Sequence, residues 1–366
     1  MFKKLLFISA FITLFQTIFA VVVREDVWLD ADLNHQVYEK AKAYTSPVAI
    51  HMNIYNSQHE VLYQSLVGSG VLISDNIVLT AAHVVESYHN PIFKFLTGVL
   101  AWIRNKSWEV TVVLEDDQGE RIEVGIDKQV YAPCHGRNQT GVCDIAILKL
   151  KHPVDTNRFK PAQIFQGLYS NILGQVVSSI GYGRFGNSTA GAIDEPDGRK
   201  RYIESIYSYY ANPELIDSTY FQLDQNQKGM KTLITAYPMD PNHCVNCRAI
   251  QDNQNMPLVD MMGRGAGFLI DDQKMTPFYG RCAAGDSGGP HFNSNGELVS
   301  LTSFQSCGLT VENGQRICMG YDADSPVGIP EIRDWITQTV HQLNEDLDHH
   351  EETLFDYITE KWHDAF

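Results

Sequence analysis

The sequence lacks four things, and each absence narrows what the chain can be. It has no repeat of fixed period and no low-complexity tract, which excludes solenoids and long coiled coils. It has no basic cluster: 28 Lys and Arg stand against 44 Asp and Glu, a net charge of −16. Such a surface repels phosphate backbones, so nucleic acid is not an expected partner. The one basic run, Arg199-Lys200-Arg201, is too short to offset this and reads as an exposed loop. It has little amphipathic helical pattern before residue 331. Finally, it has no apolar run of the ~20 residues that a membrane span requires. The longest, Leu5 to Phe19, follows Met1-Phe2-Lys3-Lys4 and ends at Ala20. A basic start, a short apolar core and a small residue describe a secretory signal peptide over residues 1–20, with an uncleaved anchor as the alternative. A secreted or periplasmic protein with no stable membrane span is the expectation.

What remains reads as short strands. Apolar runs recur at Val48–Ile50, Leu66–Val67, Gly70–Ile73, Ile77–Leu79, Trp108–Leu114, Ile122–Val124, Ile145–Leu150, Gln175–Ile180, Leu233–Tyr237 and Leu298–Phe304, separated by Gly, Asn, Asp and Ser. This pattern predicts antiparallel sheets folded into a sandwich or barrels. A helix is expected near Ala31–Ala43, inside an N-terminal extension of residues 21–46. Residues 185–231 show no period and read as a surface insertion. At the other end Ile332, Trp335, Ile336 and Val340, then Leu343, Leu347, Leu354, Ile358, Trp362 and Phe366, sit at helical spacing among acidic residues. They predict amphipathic helices that pack on the domain, with residues 341–366 as a tail whose sharper reading is a partner contact.

Seven cysteines in an exported chain make disulfides the default, and seven leaves at least one unpaired. Cys134 and Cys143 bracket a short loop. His243, Cys244 and Cys247 offer part of a zinc ligand set, but a structural zinc site takes four ligands and no second pair is evident. A disulfide is preferred there. No metal and no cofactor are expected. Asn105, Asn138 and Asn187 open glycosylation triplets.

One stretch carries chemistry: Gly285-Asp286-Ser287-Gly288-Gly289-Pro290. A serine hydroxyl needs a base and oxyanion donors to act as a nucleophile. The pattern G-x-S-x-G also fits an esterase elbow. Two other stretches bear on the choice. Thr80-Ala81-Ala82-His83-Val84 places a histidine directly after an apolar strand, where in isolation a histidine is more often simply packed. Cys143-Asp144 precedes the alternating strand Ile145–Leu150, where an aspartate is also an ordinary strand-start residue. An esterase elbow should have its acid and histidine after the serine, and no comparable context follows Ser287.

Together, TAAHV, DIAILKL and GDSGGP in the order His, Asp, Ser resemble the trypsin/chymotrypsin-type serine proteases over residues 47–340. The resemblance implies two six-stranded antiparallel β-barrels, at about 47–160 and 170–330, with the active site between them and a C-terminal helical extension. It implies His83 as general base, Asp144 as its orienter, Ser287 as nucleophile, and the N–H groups of Gly285 and Ser287 as oxyanion hole, with a polypeptide substrate. Cys282 and Cys307 resemble the pair that braces the substrate pocket, although one extra residue separates Cys282 from Ser287. The pocket floor falls near Gly280 and Arg281 and its wall at Ser303, Phe304 and Gln305. With no aspartate at that floor, cleavage after Lys or Arg is not expected; a small or medium apolar side chain is. The family's Arg/Lys-Ile-Val-Gly-Gly activation sequence is missing, so Asp286 must find a new terminus such as Val21, or another cation. That keeps a locked or inactive binding protein as the alternative, with the esterase reading behind it.

Overall fold

The computed structural model describes residues 20–23, 25–89, 107–135, 143–187, 191–194, 197–211, 232–237, 276–312 and 315–345. In chain order the elements are β1 (Ala20–Val23), α1 (Glu25–Leu29), α2 (Ala31–Lys42), β2 (Pro47–Tyr55), β3 (Val61–Leu72), β4 (Ile77–Thr80), α3 (Ala82–His89), β5 (Ser107–Glu115), β6 (Arg121–Tyr131) and β7 (Ala146–Leu150). There follow β8 (Val176–Gly181), β9 (Arg184–Asn187), β10 (Gly191–Asp194), β11 (Arg201–Ala211), β12 (Thr232–Tyr237), β13 (Gly280–Arg281), β14 (Pro290–Phe292), β15 (Leu298–Glu312), β16 (Gln315–Pro326) and α4 (Pro330–Glu345).

Six strands close each of two antiparallel barrels, in the orders β2-β3-β4-β7-β6-β5 and β11-β12-β16-β15-β14-β8. Closure removes the sheet edges that would otherwise pair with other chains. The first barrel fills with Val48, Ile50, Leu72, Val78, Val112, Leu114 and Leu148, all fully buried. Each such side chain contributes about 1.5–3 kcal/mol on leaving water. A smaller sheet, β10-β9-β1-β13, runs β1 parallel to β9 and antiparallel to β13.

The second barrel corrects one expectation. Residues 185–231, read as an irregular insertion, contain β11, which pairs with both β8 and β12 and closes the barrel. Its alternation is hidden because both faces are covered. Ile203, Ser205 and Tyr207 are buried, and so are Tyr202 and Ile206 on the opposite parity. Lys40 of α2 lies 5.2 Å over the Tyr202 ring. Asn187 is buried, which closes that glycosylation acceptor. Asn105, Asn138, Cys244, Cys247, the signal segment before Ala20 and the tail beyond Glu345 lie outside the described residues. Among the described residues no helix is long and apolar enough to cross a membrane.

Helix α4 starts on Pro330, where a missing N–H costs nothing, and buries Ile332, Ile336 and Leu343. It is fastened to the first barrel by Lys149 Nζ, which donates to the Leu343 carbonyl at 2.5 Å, and by Asn76 Nδ2 to Asn344 Oδ1 at 3.3 Å. Ile336→Ala is expected to cost about 2–5 kcal/mol by leaving a cavity under the helix. Denaturant titration reads this directly, and a loss below about 0.5 kcal/mol would mean that α4 is not part of the cooperative fold.

Candidate active site

Strand register brings the first two residues together. Thr80 at the end of β4 pairs with Ala146 at the start of β7. The residues just beyond those ends, His83 in the first turn of α3 and Asp144 before β7, therefore fall side by side. A first-turn N–H has no partner within its own helix; that of His83 donates to Asp144 Oδ1 at 2.9 Å. Asp144 Oδ2 lies 2.6 Å from His83 Nδ1 and accepts from Ser303 Oγ at 2.5 Å. The Asp144 N–H donates to Ser325 Oγ at 3.2 Å. Asp144 is buried, while the His83 side chain keeps 22% of its exposure. A disulfide joins Cys134 to Cys143, tying down the residue before the carboxylate.

Burial alone would push the His83 imidazole down. The charge of Asp144 and its hydrogen bond offset this, and the imidazole ends above its ordinary value. Asp144 mirrors it: burial raises the carboxyl, but the His83 charge and the bonds from His83 and Ser303 bring it below the usual carboxylate range. The pair thus favours an imidazolium held by an ionised carboxylate, the state a general base must reach after taking a proton.

Ser287 sits in the loop between β13 and β14. This loop is fastened to both barrels. Its Gly288 N–H donates to the Thr302 carbonyl of β15 at 2.7 Å, and the Ser69 N–H of β3 donates to the Ser287 carbonyl at 2.8 Å. Ser69 Oγ donates to the Gly285 carbonyl at 2.7 Å and accepts from the Tyr182 N–H at 3.2 Å. Gly285 has φ +96°, and a Cβ there would lie 2.8 Å from both Gly183 Cα and Leu66 Cδ2. Gly288, at φ +80°, would drive a Cβ into Thr80 Oγ1 and the Ser69 carbonyl. Both positions require glycine. The N–H groups of Gly285 and Ser287 donate to no acceptor among the described residues, leaving them available to an oxyanion. His83 and Ser287 make no hydrogen bond to one another among the described residues.

Asp286 turns away from the cleft. It is buried; Oδ1 accepts from the Gly183 N–H at 2.8 Å, and Oδ2 has no hydrogen-bond partner among the described residues. Burial raises its carboxyl to about 7, against the pull of the Gly183 bond and the Arg201 guanidinium.

The expected pocket residues divide. Gly280 and Arg281 form β13, both buried, with Arg281 paired by backbone to Val22 of β1. Ser303 is committed to Asp144. Phe304 and Gln305 continue along β15, paired by backbone with Ala323 and Asp322 of β16. The expected bridge from Cys282 to Cys307 is not formed: Cys282 is a buried free thiol. Its sulfur lies in the second barrel, 3.4 Å from Thr302 Oγ1 and 3.7 Å from His291 Nε2.

That interior is polar. His291 bonds Ser179 and Thr302, and burial pushes its imidazole down to about 3. Burial, then the charge of Asp322, pushes Asp324 well up; burial does the same to the Cys282 thiol. A buried protonated thiol is a poor nucleophile. Cys282 should therefore resist alkylation in the folded protein and react in denaturant, as read by mass spectrometry of its peptide. Fast labelling in native buffer would contradict its burial. Among the described residues no group of three or more His, Cys, Asp or Glu could hold a metal ion.

Sequence reasoning missed Ser69, Ser325 and the buried acids Asp322 and Asp324, and it placed Ser303 in the pocket wall without its bond to Asp144. Only Ser69 carries a local signal, the Gly-Ser-Gly at 68–70, and that pattern is one of a turn. The others act through register that a single strand's sequence does not carry.

Residues 68–230 match the family model of the trypsin-like peptidase domain, a span that includes His83 and Asp144 and stops before Ser287. Among solved structures the chain is similar to neuropsin, described as a serine protease expressed in the limbic system of mouse brain. Identity is 16%, coverage is 79% of this chain and 93% of that one, and the TM-score is 0.41. No curated protein matches the sequence.

Proposed function

We propose that this chain is a trypsin/chymotrypsin-type serine protease, a reading supported by the match of residues 68–230 to the trypsin-like peptidase domain, and that it is an exported endopeptidase that cleaves polypeptides through an acyl-enzyme. Ser287 Oγ attacks the scissile carbonyl while His83 Nε2 takes its proton. Asp144 holds the imidazole in the tautomer with Nδ1 protonated and stabilises the cation. The N–H groups of Gly285 and Ser287 receive the oxyanion. His83 then returns the proton to the leaving amine, and water enters by the same base to release the acid. The observation that carries this reading is the 2.6 Å contact of His83 with a buried, further hydrogen-bonded Asp144. A fluorophosphonate tests it. Stoichiometric labelling of Ser287 that is lost in His83→Ala supports the mechanism, and labelling indifferent to His83 contradicts it.

The preference proposed is for a small or medium apolar side chain before the cut. The floor segment Gly280–Arg281 carries no carboxylate, and Arg281 is buried. Asp322 accepts from the Cys282 N–H at 3.0 Å inside the barrel and is 1% exposed, so it does not offer an open acidic pocket.

One observation favours a locked form as the second reading: Asp286 Oδ2 has no hydrogen-bond partner among the described residues. In β1, Ala20 pairs with Arg184, next to the Gly183 whose N–H holds Asp286. Signal removal after Ala20 would place the ammonium of Val21 near this corner. The form beginning at Val21 is then the competent one, and the form retaining residues 1–20 the locked one.

A further inference from the structure

Helix α3 carries His83 in its first turn, and its two faces are held differently. Val84 and Val85 are buried in the core of the first barrel. Glu86, 44% exposed, lies on the solvent side. It follows His83 by three residues, so the two side chains are neighbours on the helix surface. Glu86 Oε1 lies 3.0 Å from His135 Nε2, and the His135 side chain is only 9% exposed. A surface pair of this kind usually contributes little, because ordering both side chains offsets the attraction. Here one partner is already fixed from three directions. The His135 N–H donates to the Ala132 carbonyl at 2.9 Å, and its ring stacks on Tyr131 of β6 with centroids 5.8 Å apart. It also follows Cys134, whose sulfur is bonded to Cys143.

That bridge joins both grips on α3. Cys134 precedes His135, which meets Glu86; Cys143 precedes Asp144, which meets His83 through its backbone N–H and its ring. The ends of β6 and β7 bring the two half-cystines together. Tyr131 pairs with Ala146, and the Ala132 N–H donates to the Ile145 carbonyl at 3.0 Å. Cys143 is held at φ +61°, a left-handed conformation that a non-glycine residue keeps only where its surroundings impose it. The bridge therefore sets the spacing between the grip on His83 and the grip on Glu86.

We infer that Glu86 and His135 are positioning residues for His83, forming with Asp144 a two-point clamp on α3 that the Cys134–Cys143 disulfide keeps closed. A dithiol opens it: the reagent gives two electrons and two protons, the S–S bond breaks, each cysteine gains an S–H, and the reagent closes to its own disulfide. His135 and Asp144 are then no longer tied to one another. The carboxylate of Glu86 also acts through its charge. Burial lowers the His83 imidazole; Asp144 from the start of β7 and, to a smaller extent, Glu86 from within α3 raise it. Tyr131 of β6 faces the same Glu86 charge. The inference rests on the protease reading.

The rate at which a fluorophosphonate labels Ser287 in the full chain reads the clamp. Glu86→Gln and His135→Ala are each expected to slow labelling about ten-fold, short of the roughly hundred-fold that a misplacement of about 1 Å can cost. His135→Gln keeps an N–H donor for Glu86 and restores most of the rate. Between pH 5 and 9 Glu86→Gln also moves the rising limb of the profile down, whereas His135→Ala, which keeps the carboxylate, does not. Dithiothreitol slows native labelling by at least ten-fold, and reoxidation restores it. In the double variant Cys134→Ser, Cys143→Ser the reagent has no effect, and adding His135→Ala costs little more. Native rates in Glu86→Gln and His135→Ala, equal losses in His135→Ala and His135→Gln, or a reagent effect that persists in the double variant would each overturn the clamp. Where the double variant does not fold, the Glu86 and His135 variants decide. A native chain whose Ser287 is not labelled at all defeats the protease reading instead. Hydrogen exchange of the α3 amides then still reads the clamp: faster exchange in His135→Ala and on reduction supports it, and unchanged exchange overturns it.

Discussion

Asp144→Asn lowers kcat/KM by about 10⁴ with the fold intact. The two carboxylate oxygens have different work. Oδ1 accepts from the His83 backbone and keeps doing so as an amide oxygen. Oδ2 accepts from Ser303 and faces His83 Nδ1, and an amide nitrogen in its place donates to Nδ1 and forces the ring proton onto Nε2. The imidazole then has no lone pair for the Ser287 proton. The pH profile separates this from mere misfolding. In the native chain burial pushes His83 down and Asp144 pushes it up further, so activity rises with pH on a limb centred above 6.5. Removing the carboxylate charge leaves burial opposed only by the smaller effect of the Glu86 charge and moves the limb down. Rates measured from pH 5 to 9 read both effects. A variant with native rate, or with the limb unmoved, would contradict the assignment of Asp144.

Stability should fall as pH rises from about 4 to 7, by up to about 4 kcal/mol through Asp286 alone. The folded carboxyl titrates at about 7 because it is buried, against 3.8 when free. Below pH 3.8 it is protonated in both states and its contribution is complete. Between the two values the unfolded chain ionises freely while the folded chain holds the proton, so stability declines. Above 7 the loss is complete. Asp286→Asn keeps the acceptor for the Gly183 N–H and removes the titration, so its stability should be flatter over this range. A chain beginning at Val21 is expected to flatten it too, because an ammonium beside Oδ2 stabilises the ionised form. Chemical denaturation at pH 4, 5.5, 7 and 8 compares the three proteins. Equal slopes for the native chain and Asp286→Asn would show that the carboxyl is not buried uncompensated.

The barrels were legible where a strand has one wet face or a long apolar run. Ile77–Leu79 and Ile145–Leu150 announce themselves, and their pairing then fixes His83 beside Asp144. Strand β11 does not, because both its faces are covered and Ser205 and Tyr207 line a polar interior. The motif residues stand out through local chemistry: a histidine at a strand end, a serine between glycines. Their supports do not. Ser303, Ser325 and Ser69 are ordinary serines in sequence and matter only through contacts 159, 181 and 216 residues away. The Cys282–Cys307 bridge was carried by resemblance, whereas the Cys282 sulfur lies beside His291 as a free thiol.

The central claim is a Ser287 nucleophile in a peptidase. A complex peptide library incubated with the chain beginning at Val21, beside its Ser287→Ala counterpart, tests it most directly, with new termini read by mass spectrometry. The account predicts internal cuts after small or medium apolar residues, absent from the Ser287→Ala sample. Cuts that persist in that sample, or a library left whole by a protein whose Ser287 does not react with a fluorophosphonate, would contradict it.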